Sequence, residues 1–355
     1  MADIVIVGGG FSASIAKIII NKPTEVITTT KISKKPRNIF NKNSKFEINK
    51  FFGKRAFSYS VLRFNFYLGR LHDRLILGGN SNIWGGFVDL SRIPDSFIQS
   101  LNKRGIFLKK LGFAETGSIS NKKEIFQLQD SREKIVDTSK FLGSYKNYFL
   151  ESFFIKKNEI GLNLVSTKRR KTIYTKNLIL CIGVTQTIDL LFRSNALKEG
   201  STISLSEFSY ELSTKLTLSP FKFQKNSVII RFLFIRAILH YIGIQKCIGY
   251  ITKNFGMPLY FDQKFSLKKN LHTAVLKNGV LSDNIFKKEK SGKTFGKSVH
   301  YCNLKINGMN VNDYLKMIAP NLTGLGMAFV CQKSPGPISN DIMEDAIIKL
   351  KEINN

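Results

Sequence analysis

The first thirty residues alternate between apolar runs and short polar or glycine-rich breaks. Residues 4–7 are all apolar and β-branched, which is typical of a strand buried on both faces. Three glycines follow at positions 8–10, and Ile15, Ile18 and Ile19 then share one helical face. Pro23 cannot continue that helix, and the β-branched residues of segment 25–30 predict a second strand. The pattern predicts a strand, a turn, a helix and a strand in succession.

A second block of regular pattern lies in the middle of the chain. Its alternating and apolar runs predict, in order, a hairpin, a buried strand, Gly183 and a helix (residues 161–166, 172–175, 177–182 and the segment after 183). Thr185 or Thr187 is the expected cap of that helix. The alternation continues over residues 201–223, which indicates further sheet.

The last fifteen residues predict a closing helix. Its apolar stripe falls at helical spacing (Met343, Ala346, Ile347 and Leu350). Asp341 followed by Glu344 resembles a capping box that would start the helix at that point.

The most apolar stretch, residues 228–244, is interrupted by Arg231, Arg236 and His240. These charges exclude a membrane span. A buried helix or a lid over a substrate site is one interpretation, and a basic helix lying on a membrane surface is the other.

Composition adds a strong positive charge to this picture. The chain has 355 residues, 43% of them hydrophobic, and 55 basic against 25 acidic residues give a net charge of +30. Such a charge favours an anionic partner or reflects compositional drift toward lysine. Nucleic acid is not expected, because no nucleic-acid-binding motif accompanies the charge. Peripheral contact with an anionic membrane stays open.

The four cysteines show no C-x-x-C spacing, so no metal site is expected (Cys181, Cys247, Cys302 and Cys331). The chain begins without the charged and apolar pattern of a signal peptide. We therefore expect reduced thiols and a cytoplasmic protein.

Candidate chemistry is concentrated in two glycine-rich turns, each placed after an apolar run. In the first, Gly8, Gly10 and Ala13 fit G-x-G-x-x-[G/A], in which the glycines allow a tight turn and close approach of a pyrophosphate. The usual acidic residue for the ribose hydroxyls is missing, because the second strand ends in three threonines at positions 28–30. Glu25 lies at the wrong end of that strand.

The second turn, GGNSNIWGG at residues 78–86, resembles the flavin-contacting loop of the glucose–methanol–choline (GMC) oxidoreductase family. Residues 177–195 resemble a second segment of that family, matching at Gly183, Thr187, Leu190, Leu191 and Ser194, with Ile188 in place of proline. Residues 298–317 resemble its histidine-containing strand with the following hairpin, and residues 321–353 its last strand, proline turn and closing helix. The resemblance covers about half of the chain and implies a short and divergent member of that family.

The resemblance implies an α/β fold: a Rossmann-like FAD-binding domain with a parallel sheet, plus a smaller α+β substrate domain on an antiparallel sheet. The implied FAD-binding domain is discontinuous (residues 1–95, 145–200 and 300–355). The implied substrate-binding domain takes the remaining segments (residues 96–144 and 201–299).

The resemblance also implies site residues. Bound FAD would be contacted by both glycine turns and by the segments near the third and last strands (Gly8, Gly10, Ala13, Gly79, Asn80, Ser81, Asn82, Trp84, Gly85, Gly86, Gly183 and Pro337). His300 would be the general base in the oxidation of a CH–OH group of an alcohol, polyol or sugar. The positive net charge of the chain, and not the resemblance, favours an anionic substrate. Gly336 stands where the family has a second histidine or asparagine, and Asn303 or Ser339 would replace it. The closing helix would point its positive end at the flavin.

Two alternatives remain at this stage. The chain could keep a flavin fold with reductase or hydroxylase chemistry, although Gly324-Leu325-Gly326, with Phe329 three positions on, fails as a second G-x-G-x-x-G. It could also be a catalytically impaired, basic protein at the membrane periphery.

Overall fold

The computed structural model describes residues 2–29, 77, 87–116, 121–131, 136–166, 169–212, 215–216, 259–260, 263–277, 280–281, 297–331 and 338–354. Several sequence predictions lie outside these residues: those for the apolar stretch 228–244, for Gly336 and Pro337, and for the second glycine turn (Gly79, Asn80, Ser81, Asn82, Trp84, Gly85 and Gly86).

In chain order the described strands of the first half are β1 (Ile4–Val7), β2 (Thr24–Thr28), β3 (Phe87–Val88), β4 (Ile106–Thr116), β5 (Asn121–Asp130), β6 (Tyr145–Asn147), β7 (Phe149–Lys156), β8 (Glu159–Val165), β9 (Arg170–Thr175) and β10 (Asn177–Leu180). Those of the second half are β11 (Thr202–Leu212), β12 (Lys215–Leu216), β13 (Leu259–Tyr260), β14 (Gln263–Lys277), β15 (Val280–Leu281), β16 (Lys297–Ile306), β17 (Met309–Asn310) and β18 (Leu322–Gly324). The helices are α1 (Phe11–Ile19), α2 (Asp95–Lys103), α3 (Val184–Arg193), α4 (Val311–Ile318) and α5 (Ile338–Asn354), with 3-10 turns at Leu90–Arg92 and Thr138–Leu142.

A five-stranded sheet in the order β18-β10-β1-β2-β6 forms the centre of the described fold, and every pairing in it is parallel. β1 lies in the middle, β2 and β6 lie on one side of it, and β10 and β18 lie on the other. This arrangement is that of a Rossmann-like sheet. The predicted fold class is confirmed, since antiparallel sheets accompany the parallel one.

Both faces of the parallel sheet are covered, which explains why its strands are apolar without alternation. Val5, Val7 and Leu180 face a cluster that includes α3 and the meander β7–β8–β9. Ile4, Ile6 and Ile179 face the opposite cluster, which contains α1, α2 and α5. All four residues of β1 are buried. Burial of each such side chain contributes about 1.5–3 kcal/mol, so this strand is a strong anchor of the fold.

The second large sheet, of eight strands among the described residues, follows the path β17-β16-β11-β14-β4-β5-β3, with β15 beside β14. Its pairings are antiparallel except the short one between β14 and β4. The strand β16 crosses residue 300, where the sequence analysis placed a domain boundary. No helix in the described ranges is long and apolar enough to cross a membrane.

Candidate functional site

The carboxyl ends of β1 and β10 define the point where the strand order reverses. The helices that follow these two neighbouring strands lie on opposite faces of the sheet, α1 in one core cluster and α3 in the other. Divergence of the two chain directions leaves a crevice outside the strand ends, and ligands of open α/β sheets bind there.

Gly8 ends β1 in a conformation that only glycine adopts easily. Its φ is +134°, and a Cβ at this position would lie 2.3 Å from the carbonyl oxygen of Cys181 at the end of β10. Its N–H donates to the carbonyl of Ile27 at 2.9 Å, which joins the turn to β2. Glycine is therefore required here by the contact between strand ends as well as by the turn.

Helix α1 begins directly after this turn. Gly10 is its N-cap residue, in an extended conformation and with no side-chain cap. Ala13 is fully buried, so the helix packs close to the sheet at the third position of the motif.

Helix α3 begins after β10 in a similar way, with Gly183 as its N-cap residue. The expected threonine cap is wrong, because α3 has no side-chain cap. Thr187 instead donates its hydroxyl proton back to the carbonyl of Gly183 at 2.9 Å, within the first turn.

The two helix starts thus share a chemical character. Neither has a side-chain cap, and neither carries an acidic residue in its first turn. Backbone N–H groups and the positive end of the helix dipole attract anions at such positions. Two such helix starts beside each other at a switch point suit a ligand with two phosphates.

The end of β2 lacks the carboxylate of many dinucleotide sites, as the sequence indicated. Thr28 and Thr29 are both buried there. The Thr28 Oγ1 lies against the first turn, since a Cβ on Gly9 would come within 2.3 Å of it. Glu25, at the start of the strand, pairs with the Lys146 ammonium at 2.5 Å.

A third loop, residues 325–330 after β18, joins the same edge and was missed by the sequence analysis. Gly326 has a φ of +107°, and a Cβ there would lie 2.5 Å from the Ser12 Oγ in the first turn of α1. Leu325 N–H donates to the carbonyl of Leu180 at 2.9 Å. The signal available in the sequence was the pair of closely spaced glycines, Gly324 and Gly326.

The predicted catalytic residues lie on β16, whose backbone contacts that third loop. Asn303 N–H donates to the carbonyl of Met327 at 3.2 Å, and Leu304 N–H to that of Ala328 at 2.8 Å. Asn303 has a φ of +53° where the register with β11 shifts, and its Nδ2 donates to the Ser206 Oγ at 3.4 Å. His300 is three residues earlier and pairs with Phe208 of β11.

The closing helix α5 begins at Ile338, three residues before the expected start. The predicted capping box is wrong, because Asp341 lies within the first turn and its Oδ1 accepts from the Arg92 Nη2 at 3.0 Å. Glu344 accepts from Arg92 Nη1 at 2.8 Å. Ser339, offered as a substitute for the family's second residue, is buried at this end of the helix.

The cysteines of the described residues are free thiols, with Cys181 and Cys302 buried and Cys331 exposed. Burial strongly raises the pKa of Cys181, so its thiol stays protonated at the end of β10. Within the described ranges, no three histidine, cysteine or acidic side chains come together as a metal site.

Comparisons with known proteins find remote likenesses in structure. Pyridoxine 4-oxidase from Mesorbium loti shows 10% identity over 99% of both chains with a TM-score of 0.47. The flavin-dependent brominase Bmp2 shows 11% identity over 99% of this chain and 78% of its own, with a TM-score of 0.36. The anhydrotetracycline hydroxylase OxyS from Streptomyces rimosus shows 10% identity over 97% of this chain and 60% of its own, with a TM-score of 0.33.

No protein-family model matches the chain, and no curated protein matches its sequence. With TM-scores below 0.5, the structural likenesses do not assign an activity.

Proposed function

We propose that this chain is an FAD-dependent oxidoreductase that oxidises a CH–OH group of an alcohol, polyol or sugar. The observation that carries the proposal is the pair of uncapped helix starts at Gly10 and Gly183, placed on neighbouring parallel strands at the switch point. A pyrophosphate between them would accept hydrogen bonds from the backbone N–H groups of one helix. The positive ends of both helix dipoles would stabilise its negative charge.

The residues at the crevice fit a flavin dinucleotide. Gly8, Gly10 and Ala13 would form the turn that contacts the pyrophosphate. Thr28 and Thr29 would offer hydroxyls to the adenosine ribose in place of a carboxylate. Gly183 and the loop at Gly326 close the same edge of the sheet. The second glycine turn, by its resemblance to the GMC loop, would contact the ring system.

Bound FAD would supply the hydride acceptor for the reaction. The task left to the protein is to take the hydroxyl proton, and we assign it to His300, since imidazole accepts protons near neutral pH. The strand β16 is held beside the crevice edge by the hydrogen bonds from Asn303 and Leu304 to the third loop. Asn303 is proposed to orient the substrate hydroxyl.

The antiparallel sheet would form the substrate side of the site, because β16 belongs to it. With a net charge of +30, the protein favours anionic small molecules, including phosphorylated or carboxylated alcohols. We therefore place polar, acidic alcohols first among candidate substrates.

The test starts with the absorbance spectrum of the purified protein, with and without added FAD. A flavin spectrum that titrates to about one FAD per chain supports the cofactor assignment. The holoprotein is then mixed anaerobically with neutral and anionic alcohols, polyols and sugars, and the bleaching of the flavin band is followed.

Bleaching by an alcohol supports the CH–OH assignment. Failure of the protein to take up FAD would overturn the whole proposal. Bleaching only by NADPH would leave the flavin in place and replace alcohol oxidation by reductase or hydroxylase chemistry.

A further inference from the structure

Two segments far apart in sequence are joined by buried hydrogen bonds at the point where the chain leaves the second glycine turn. Asp89 lies three residues after Gly86, and its backbone N–H donates to the Asn340 Oδ1 at 2.8 Å. The Asn340 Nδ2 donates in turn to the carbonyl of Asp89. Asn340 has 1% of its surface exposed, so both bonds are shielded from water.

A network of two ion pairs, formed by three side chains, strengthens the same junction. Arg92 bonds Asp341 at 3.0 Å and Glu344 at 2.8 Å, one carboxylate to each terminal nitrogen. The Asp341 side chain is only 3% exposed, and a buried carboxylate depends on its cation. We call Asp89, Arg92, Asn340, Asp341 and Glu344 the α5 latch.

We propose that the α5 latch is a positioning device for the flavin ring, with Asn340 as its central residue. The reasoning rests on the proposed function. The second glycine turn and the start of α5 are the two segments expected at the ring, and the latch fixes the exit of one to the first turn of the other. α5 also packs along α1, the helix whose start is assigned to the pyrophosphate.

An asparagine serves this purpose because it pairs with a backbone amide and carbonyl at once, as a neighbouring strand would. That pairing holds Asp89 at a defined distance and orientation from α5. Misplacement of reacting groups by about 1 Å can lower a rate about 100-fold. Loosening the latch is therefore expected to disturb the bound flavin as well as to lower the stability of the fold.

The experiment compares Asn340→Ala and Asn340→Asp with Leu350→Ala, all in the full-length holoprotein. Asn340→Asp keeps an acceptor for the Asp89 N–H and loses the donor to its carbonyl. Leu350 is fully buried near the other end of α5, so its truncation destabilises the same helix away from the latch. FAD affinity, the visible spectrum and the reduction potential of bound FAD are measured for each, beside thermal stability.

We expect both Asn340 variants to lose about tenfold in FAD affinity and to shift the flavin spectrum and potential at saturating FAD. Leu350→Ala is expected to lower thermal stability with the spectrum and potential unchanged. Should either Asn340 variant fail to fold, Arg92→Lys provides the milder test, because it keeps the charge and loses the two-pronged geometry.

Asn340 and Arg92 variants with the wild-type spectrum and potential would overturn the positioning role, whatever their stability. If the wild-type protein takes up FAD, that result leaves the proposed function intact. If the wild-type protein takes up no FAD, the proposed function fails first and this inference with it.

Discussion

Thr28 and Gly9 lie in direct contact where the second parallel strand meets the first glycine turn. A Cβ on Gly9 would stand 2.3 Å from the Thr28 Oγ1 and 3.2 Å from its Cβ. The threonine in the usual place of the acid therefore restricts the turn.

We expect Gly9→Ala to destabilise the protein by about 1–3 kcal/mol, because the added methyl overlaps the threonine hydroxyl. Thr28→Ala removes that oxygen, so the double variant Gly9→Ala/Thr28→Ala is expected to recover part of the loss. Urea unfolding of the wild type, both single variants and the double variant gives the coupling energy. Additive effects of the two substitutions would show that the contact does not limit the turn.

Gly8 provides a second test of the same turn. Gly8→Ala combines an unfavourable φ with an approach of 2.3 Å to the Cys181 carbonyl, whereas Gly200, with a φ of +80°, has open space around it. We expect Gly200→Ala to cost about 1 kcal/mol and Gly8→Ala clearly more, with loss of FAD uptake only for Gly8→Ala. Equal unfolding free energies for the two variants would contradict the close contact between strand ends.

The local pattern of the sequence was sufficient to predict the strands that are buried on both faces and the helices that follow them. The strands at Ile4–Val7 and Asn177–Leu180 and the helices that follow them are continuous apolar or periodic runs, and each was predicted within two or three residues. The strand Tyr145–Asn147 was missed, because all three of its residues are exposed and give no apolar signal.

The parts of the site that the sequence missed depend on contacts between distant segments. The capping box at Asp341 was a reasonable local interpretation, but the carboxylate pairs with Arg92, which lies 249 residues away. Likewise, nothing near Gly326 in the sequence indicates Ser12 as its neighbour. The roles assigned to His300 and Asn303 stay predictions.

The reactivity of the thiols offers a test of burial at the end of β10. Cys181 is buried and its pKa is raised, whereas Cys331 is exposed. Since the thiolate is the reactive form, we expect N-ethylmaleimide at neutral pH to modify Cys331 at least about 100-fold faster than Cys181. Peptide mass spectrometry after timed labelling measures both, and denaturant should abolish the difference. Equal rates in the folded protein would show that the edge of the sheet opens.

Lys349 of α5 makes the stability depend on pH in a defined direction. Burial lowers the pKa of Lys349, and Asp345, whose carboxylate is 2.7 Å from the ammonium, opposes part of that effect. The unfolded chain therefore binds more protons than the folded one between the lowered pKa and about 10.4, the ordinary lysine value. Stability contributed through this group is lowest below that window and rises with pH across it.

We expect Lys349→Met to reduce this rise, measured as the unfolding free energy in urea at about pH 8, 9 and 10. Lys351→Met is the matched control, because Lys351 is exposed in the last turn of the same helix. A slope that is the same in wild type, Lys349→Met and Lys351→Met would show that the Lys349 ammonium is as well solvated in the folded state as in the unfolded chain.

His300 and His272 allow the assignment of the base to be tested with a matched pair. They lie on the two strands that flank β11 in the antiparallel sheet, His300 on β16 opposite Phe208 and His272 on β14 opposite Leu205. General-base catalysis contributes about 10²–10⁴-fold, so His300→Asn is expected to slow anaerobic flavin reduction by an alcohol within that range, with FAD still bound. His272→Asn is expected to keep the wild-type rate. A normal rate in His300→Asn, or a large loss confined to His272→Asn, would move the base away from residue 300.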